Sequence, residues 1–153
     1  MLVSIPTGKN GNAKNCMSDK IFIDTNVFIY SLDRYDRSKR QKARSILKLI
    51  REKHSGVIST QVMQEFYVAA TKKMQGDPII IKGILTQLSN FEIVTISPEL
   101  IYSAIDCSIL NRVGFWDALI ISAAASSNCK EIWTEDLNHD QVIQGVHIKN
   151  PFL

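Results

Sequence analysis

The 153-residue sequence predicts an α/β fold: a mainly parallel central sheet of about five strands, flanked by helices. Two observations carry this. Five short runs rich in β-branched and aromatic residues alternate with segments of helical period. Acidic residues also recur where strands end and helices begin, the edge at which open parallel sheets bind ligands.

The elements follow in order. Residues 1–19, MLVSIPTGKNGNAKNCMSD, are rich in Gly, Asn and Lys and lack periodicity, so a disordered or loosely attached leader is expected there, with Met17 as a second candidate start. Residues 20–153 are expected to form one domain. KIFID, residues 20–24, reads as the first strand and TNVFIYSL as the helix after it. In RSKRQKARSILKLIREK, Ala43, Ile46, Leu47 and Ile50 make one apolar stripe, while Arg37, Arg40, Arg44, Lys48 and Arg51 line a cationic one. GVIST is the second strand, and TQVMQEFYVAATKK is a helix expected to bury Val62, Met63, Phe66, Ala69 and Ala70. FEIVTI is the third strand. Pro98 marks the first turn of the helix SPELIYSAIDCSILNR. DALIISAAAS is apolar on nearly every side, as a fully buried helix would be. EIWTE and GVHIKN supply the last two strands, and His139 and His147 read as loop and edge-strand residues rather than ligands.

Composition narrows the class. A 45% hydrophobic content suits one domain with a sizeable core, and a net charge of +3 permits a polyanionic partner without demanding one. Cys16, Cys107 and Cys129 are odd in number and form no Cys-x-x-Cys or Cys/His cluster, which argues against zinc or a disulfide framework and for a reducing cytoplasm. About 18 uninterrupted apolar residues, the length of a membrane-spanning helix, occur nowhere. The N-terminus lacks the apolar core of a signal peptide.

Four acidic residues carry the chemistry. Asp24 ends the first strand and reads either as a helix N-cap or as a ligand. Glu65 lies at the margin of its helix's apolar stripe, where a salt-bridged Glu is the alternative. Asp117 opens the most buried helix and also reads as a cap; Asp136 follows the fourth strand beside Glu135 and Asp140, where a solvated loop is the alternative. All four fall where one edge of a parallel sheet would gather them. Clustered carboxylates repel and raise one another's pKa unless a cation holds them, and carboxylates without His or Cys suit Mg²⁺ or Mn²⁺.

In this order and spacing, IFIDTNVFIY, QVMQEFY, GFWDALIISAAA and IWTEDLNHDQ resemble the motifs of PIN-domain ribonucleases, especially VapC-type toxins. The match runs from about residue 20 to the C-terminus. The resemblance implies a Rossmann-like fold and a Mg²⁺- or Mn²⁺-dependent endoribonuclease, usually dimeric. It also implies a cognate antitoxin whose tail blocks the cleft. Asp24, Glu65 and Asp117 would be ligands, Asp136 rather than Glu135 would take the Thr-x-Asp position, and Thr25, Asn26 and Thr134 would support them. On this reading the cationic stripe would follow an RNA backbone, with Tyr30 or Tyr35 as a stacking platform; a solvated helix face is the reading favoured. The rivals are a non-toxin PIN nuclease in RNA processing, a receiver-type Mg²⁺-binding phosphorylation module, a haloacid-dehalogenase-type phosphatase and a structure-specific DNA nuclease. A receiver wants an acidic pair after the first strand and such a phosphatase wants Asp-x-Asp; here Asp-Thr-Asn stands. The DNA nuclease's clamp and arch would hardly fit this length.

Overall fold

The computed structural model describes residues 18–153. The chain runs β1 (Lys20–Ile23), α1 (Thr25–Ser31), α2 (Arg37–Lys53), β2 (Ser55–Ser59), α3 (Thr60–Val68), α4 (Pro78–Leu88), β3 (Glu92–Val94), α5 (Pro98–Asn111), α6 (Phe115–Ser126), β4 (Glu131–Trp133), β5 (Val142–Ile143) and β6 (Val146–Lys149). One sheet takes the order β3-β2-β1-β4-β6-β5, parallel throughout except for β5. The expected leader lies outside the described residues as far as position 17, as does Cys16. Ser18 Oγ lies 2.7 Å from Ser55 Oγ, and the Asp19 carboxylate pairs with Lys130 Nζ at 2.6 Å.

The chain pairs β1 with β2 and then β2 with β3 on one side, and only afterwards adds β4 on the other side of β1. The point where the order reverses therefore falls between β1 and β4, and at such a point the loops part and leave a crevice. In β1, Ile21, Phe22 and Ile23 are all buried. Successive strand residues face opposite sides of a sheet, so both faces of β1 are covered. Helix α6 is buried from Ala118 to Ala124 because it packs on β2, β4 and β6 and carries α5 along its outer side. Asp24, Asp36, Ser59, Asp77 and Ser97 each cap a helix through the side chain, and Pro78 and Pro98 each stand in a first turn.

Three details differ from the sequence reading. The sheet has a sixth strand, because Gln144 and Gly145, both at positive φ, turn β5 back on β6 as a two-residue hairpin. A two-residue strand has too short a period to read, and Gln is not a usual residue for that turn. His147 therefore sits on β6 inside the sheet rather than on its edge. The helix expected over residues 60–73 also changes form: α3 gives way to a π-helical turn, Ala69–Lys73, with Met74 N–H donating to Ala69 O. Val62, Phe66 and Ala70 are core, while Met63 and Ala69 are only half-buried.

Gly56 in β2 lets the ring of Phe91 lie against the strand: a Cβ there would stand 2.4 Å from that ring and 3.2 Å from Ile23 Cδ1. Gly56→Ala is expected to lower the unfolding free energy by about 1–3 kcal/mol, the range for overpacking. Urea denaturation followed by circular dichroism measures it, and an unchanged midpoint would show that Phe91 moves aside freely.

Candidate active site

The crevice between β1 and β4 is built first around Asp24. Its carboxylate caps α1, with Oδ1 accepting the Thr25 N–H at 2.7 Å, and Oδ2 accepts the Thr134 hydroxyl at 2.7 Å. The cap and site readings of Asp24 are thus not exclusive. Thr134, fully buried just past the end of β4, in turn accepts from the Asp136 backbone N–H at 3.1 Å and from the Asn26 side-chain amide at 3.2 Å. The same Asn26 nitrogen donates to Asp136 Oδ2 at 3.0 Å. One hydroxyl and one amide therefore join the ends of two adjacent strands.

Glu65 enters from α3. The Thr25 hydroxyl donates to its Oε2 at 2.9 Å and the Gln61 amide to its Oε1 at 2.8 Å, so both oxygens have fixed partners. No Lys, Arg or His pairs with it among the described residues, and the salt-bridged alternative is not what the geometry holds. Asp117 occupies the third position of α6. Gly114 is the N-cap of that helix, so Asp117 is not its cap. Among the described residues the Asp117 carboxylate accepts no hydrogen bond.

Electrostatics join the four. Burial pushes the Asp24 carboxyl from 3.8 up to about 6, against the hydrogen bonds from Thr134 and Thr25, and repulsion from Asp136 and Glu65 adds to the rise. Asp117 is likewise raised by burial first and then by Asp136 and Glu65. Among the described residues none of the four carboxylates has a cationic partner, and no three His, Cys, Asp or Glu side chains close around one point at ligand distance. The donor set is entirely hard oxygen. It suits a cation that keeps several of its own waters, as Mg²⁺ does. Asn26 Oδ1, buried beside this cluster, has no hydrogen-bond partner.

Glu135 belongs elsewhere. Tyr30 Oη donates to it, and Lys39 Nζ reaches its two oxygens at 2.9 and 3.0 Å. Burial pushes Glu135 up, but those hydrogen bonds outweigh it and hold the carboxyl below its ordinary value. Lys39 also lies 3.8 Å above the Tyr30 ring, and Phe152 meets that ring edge-on. Tyr30 is therefore half-buried, with Lys39 over its ring, whereas Tyr35 is 98% exposed. Of the cationic stripe, Arg37, Arg44, Lys48 and Arg51 are exposed and Arg40 is half-buried. Arg40 and Arg44 donate to the Asp33 and Ser31 carbonyls at 2.8 and 3.0 Å, so the stripe is anchored at two points rather than wholly solvated. With Arg34 they line a groove of about 550 Å³ together with the acidic Asp33 and Asp77 and the apolar Ile80 and Ile84. His139 and His147 both face the Asp140 carboxylate, with Nε2 at 3.4 and 3.0 Å from it.

The PIN-domain family model matches residues 21–143, a span that holds β1 from its second residue and all four carboxylates. The chain belongs to the PIN-domain family. This PIN domain shares its fold with a toxin–antitoxin complex from Klebsiella pneumoniae, at 24% identity and a TM-score of 0.63, over 86% of this chain and 97% of that one. The VapBC2 complex of Rickettsia felis, bound to a DNA fragment from its promoter, matches at 22% identity and TM-score 0.61, over 86% and 98%. VapC20 of Mycobacterium tuberculosis, described as a toxin cleaving the sarcin–ricin loop, matches at 15% identity and TM-score 0.60, over 76% and 89%. Curated protein sequences contain no match.

The sequence reading of this PIN domain missed Gln61, which stands four residues before Glu65 and so on the same helix face, a spacing that was available as a signal. It also missed the Tyr30–Lys39 clamp on Glu135, whose members lie about a hundred positions apart and leave no local sign.

For the metal-free protein the raised Asp24 carboxyl sets a direction with pH. Above about 6 Asp24 is charged in both states and the whole cost of its burial is felt; as pH falls from there toward 3.8, the folded state binds the proton first and gains stability. The gain is roughly 3 kcal/mol, at about 1.4 kcal/mol per unit of pKa. Asp24→Asn keeps the cap and removes the charge. In chelator, lowering the pH from about 7 to about 5 should raise wild-type stability relative to that variant. Parallel pH dependences in thermal melts would show that Asp24 carries no such burden.

Proposed function

We propose that this PIN domain is a Mg²⁺- or Mn²⁺-dependent endoribonuclease and the toxin of a toxin–antitoxin pair. The observation that carries this reading is the set of four unpaired carboxylates at the β1/β4 crevice, all oxygen donors and without a cation among the described residues. Asp24, Glu65 and Asp117 would hold the metal, directly or through water, and Asp136 would complete the set. Such an ion, when bound, supplies a water of lowered pKa and neutralises charge on the leaving oxygen. Thr134 and the Thr25 N–H hold the Asp24 carboxylate in one orientation. Thr25 and Gln61 do the same for Glu65, and Asn26 for Asp136. With these three carboxylates preset, little reorganisation of them is left for the reaction itself.

The toxin reading draws support from relatives of like fold that are themselves toxin–antitoxin complexes, and the RNA reading from one described as cleaving the sarcin–ricin loop. A cognate antitoxin segment carrying both apolar and acidic side chains would suit the groove lined by Arg34, Arg40 and Arg44 together with Ile80 and Ile84. A homodimer would cover the exposed apolar residues of α5, Ile101, Tyr102, Ile105 and Ile109. Among the described residues no helix is long and apolar enough to cross a membrane, and a cytoplasmic setting fits the RNA substrate.

Purified protein should cut single-stranded or loop RNA with Mg²⁺ or Mn²⁺ and stop in excess chelator. Asp117→Asn should lower the rate by about a hundredfold or more while leaving the far-ultraviolet circular dichroism unchanged. Cleavage that persists in chelator, or survives in Asp117→Asn at near wild-type rate, would refute the assignment. Mn²⁺ at about 100 times its Kd should stabilise the wild type by roughly 2.7 kcal/mol, and Asp24→Asn far less. Equal shifts in the two would remove Asp24 from the site.

A further inference from the structure

Trp116 is 65% exposed, although tryptophan is highly buried on average, and it immediately precedes Asp117 in the first turn of α6. Consecutive helix residues point in different directions. Asp117 is one of the crevice carboxylates, so the backbone that carries Trp116 runs along the crevice edge. Two contacts hold it there. Its carbonyl accepts the Gln61 amide at 3.3 Å, and the same buried amide fixes Glu65 Oε1 at 2.8 Å, so one side chain sets the spacing between the Trp116 backbone and a crevice carboxylate. The Phe115 ring meets the indole at 5.1 Å and 67°, leaving the indole propped rather than covered. Arg112, on the loop that leads into α6, is exposed and forms no ion pair among the described residues. An exposed cation four residues before an open indole matches a ligand that is anionic and carries flat rings.

We propose that Trp116 is a base-stacking platform of the cleft, receiving an unpaired nucleobase of the RNA strand whose phosphate lies at the carboxylates. This rests on the ribonuclease reading above and adds a substrate-binding residue to it. Stacking uses the π-face that every base has, so Trp116 selects unpaired bases over paired ones rather than one base over another. The indole takes no part in the bond-breaking step, and its loss acts on binding. A protein partner on the same indole is the competing use, and the test separates the two.

The first measurement is tryptophan fluorescence of Asp117→Asn in Mg²⁺, titrated with an unstructured oligoribonucleotide. The only other tryptophan, Trp133, is 5% exposed and serves as an internal silent reference. Quenching by the oligoribonucleotide, absent with inorganic polyphosphate and lost in the Trp116→Phe, Asp117→Asn double variant, is expected. The second is steady-state cleavage: Trp116→Ala should raise KM for a single-stranded substrate about tenfold with little change in kcat, and Trp116→Phe, which keeps a ring, should recover part of the loss. No quenching by RNA would overturn the inference whatever the cleavage assay gives. So would an unchanged KM in Trp116→Ala, or a variant whose only defect is a changed oligomeric state, which would assign the indole to a protein contact. Quenching without cleavage by the wild type in any divalent metal would refute the ribonuclease reading and leave the stacking platform standing.

Discussion

A single buried carboxylate, Asp24, organises the crevice edge of this protein. It stands at the end of the central strand β1, where hydrocarbon surrounds the chain on both faces of the sheet, and ionisation there is costly. Two hydrogen bonds offset part of that cost: one from the backbone of the helix it caps and one from Thr134 on the neighbouring strand. Because Thr134 also receives the Asp136 N–H and the Asn26 amide, the same hydroxyl sets the path of the chain after β4. Local helix initiation and the junction of two strands thus share one set of atoms.

The segment after β4 places neighbouring acids in opposite environments. Glu135 turns to Tyr30 and Lys39 and has its charge answered there, whereas Asp136 turns to Asn26 and stays without a cation. Both consequences follow from a chain in which adjacent side chains diverge. Lys39 neutralises one carboxylate and thereby leaves the other to contribute to the repulsion felt at Asp24 and Asp117. A cluster left in that condition stores unfavourable energy in the free protein, which a bound cation would relieve.

The remaining carboxylates are placed by helices rather than strands. Thr25 and Gln61 hold Glu65 from two sides, so α1 and α3 cannot shift relative to one another without breaking a charged hydrogen bond. Asp117 depends on α6, whose burial between the sheet and α5 fixes its axis and so the position of its first turn. The rigid hydrophobic layers carry the site, and the polar contacts only aim it.

The α/β class, the five longer strands, the helix starts at Pro98 and Thr25 and the burial of most of α6 followed from local sequence, because apolar period, capping residues and proline act over a few positions. The motif order from Asp24 to Asp136 was read from its resemblance to PIN-domain ribonucleases, and the family match over residues 21–143 agrees with that resemblance. Tertiary structure alone decided the rest. Glu135 and Asp136 are adjacent acids that only Lys39 and Asn26, about a hundred residues earlier, tell apart. Tyr30, an apparent stacking ring in the sequence, is half-buried against Lys39 and Phe152, while Trp116 is left open. The β5 hairpin and the π-helical turn likewise rest on backbone angles and long-range packing that no short period encodes. Local pattern determines which residues form elements, but which of their side chains meet is set by packing between elements far apart in the chain, and that packing is where charge is either paired or left free.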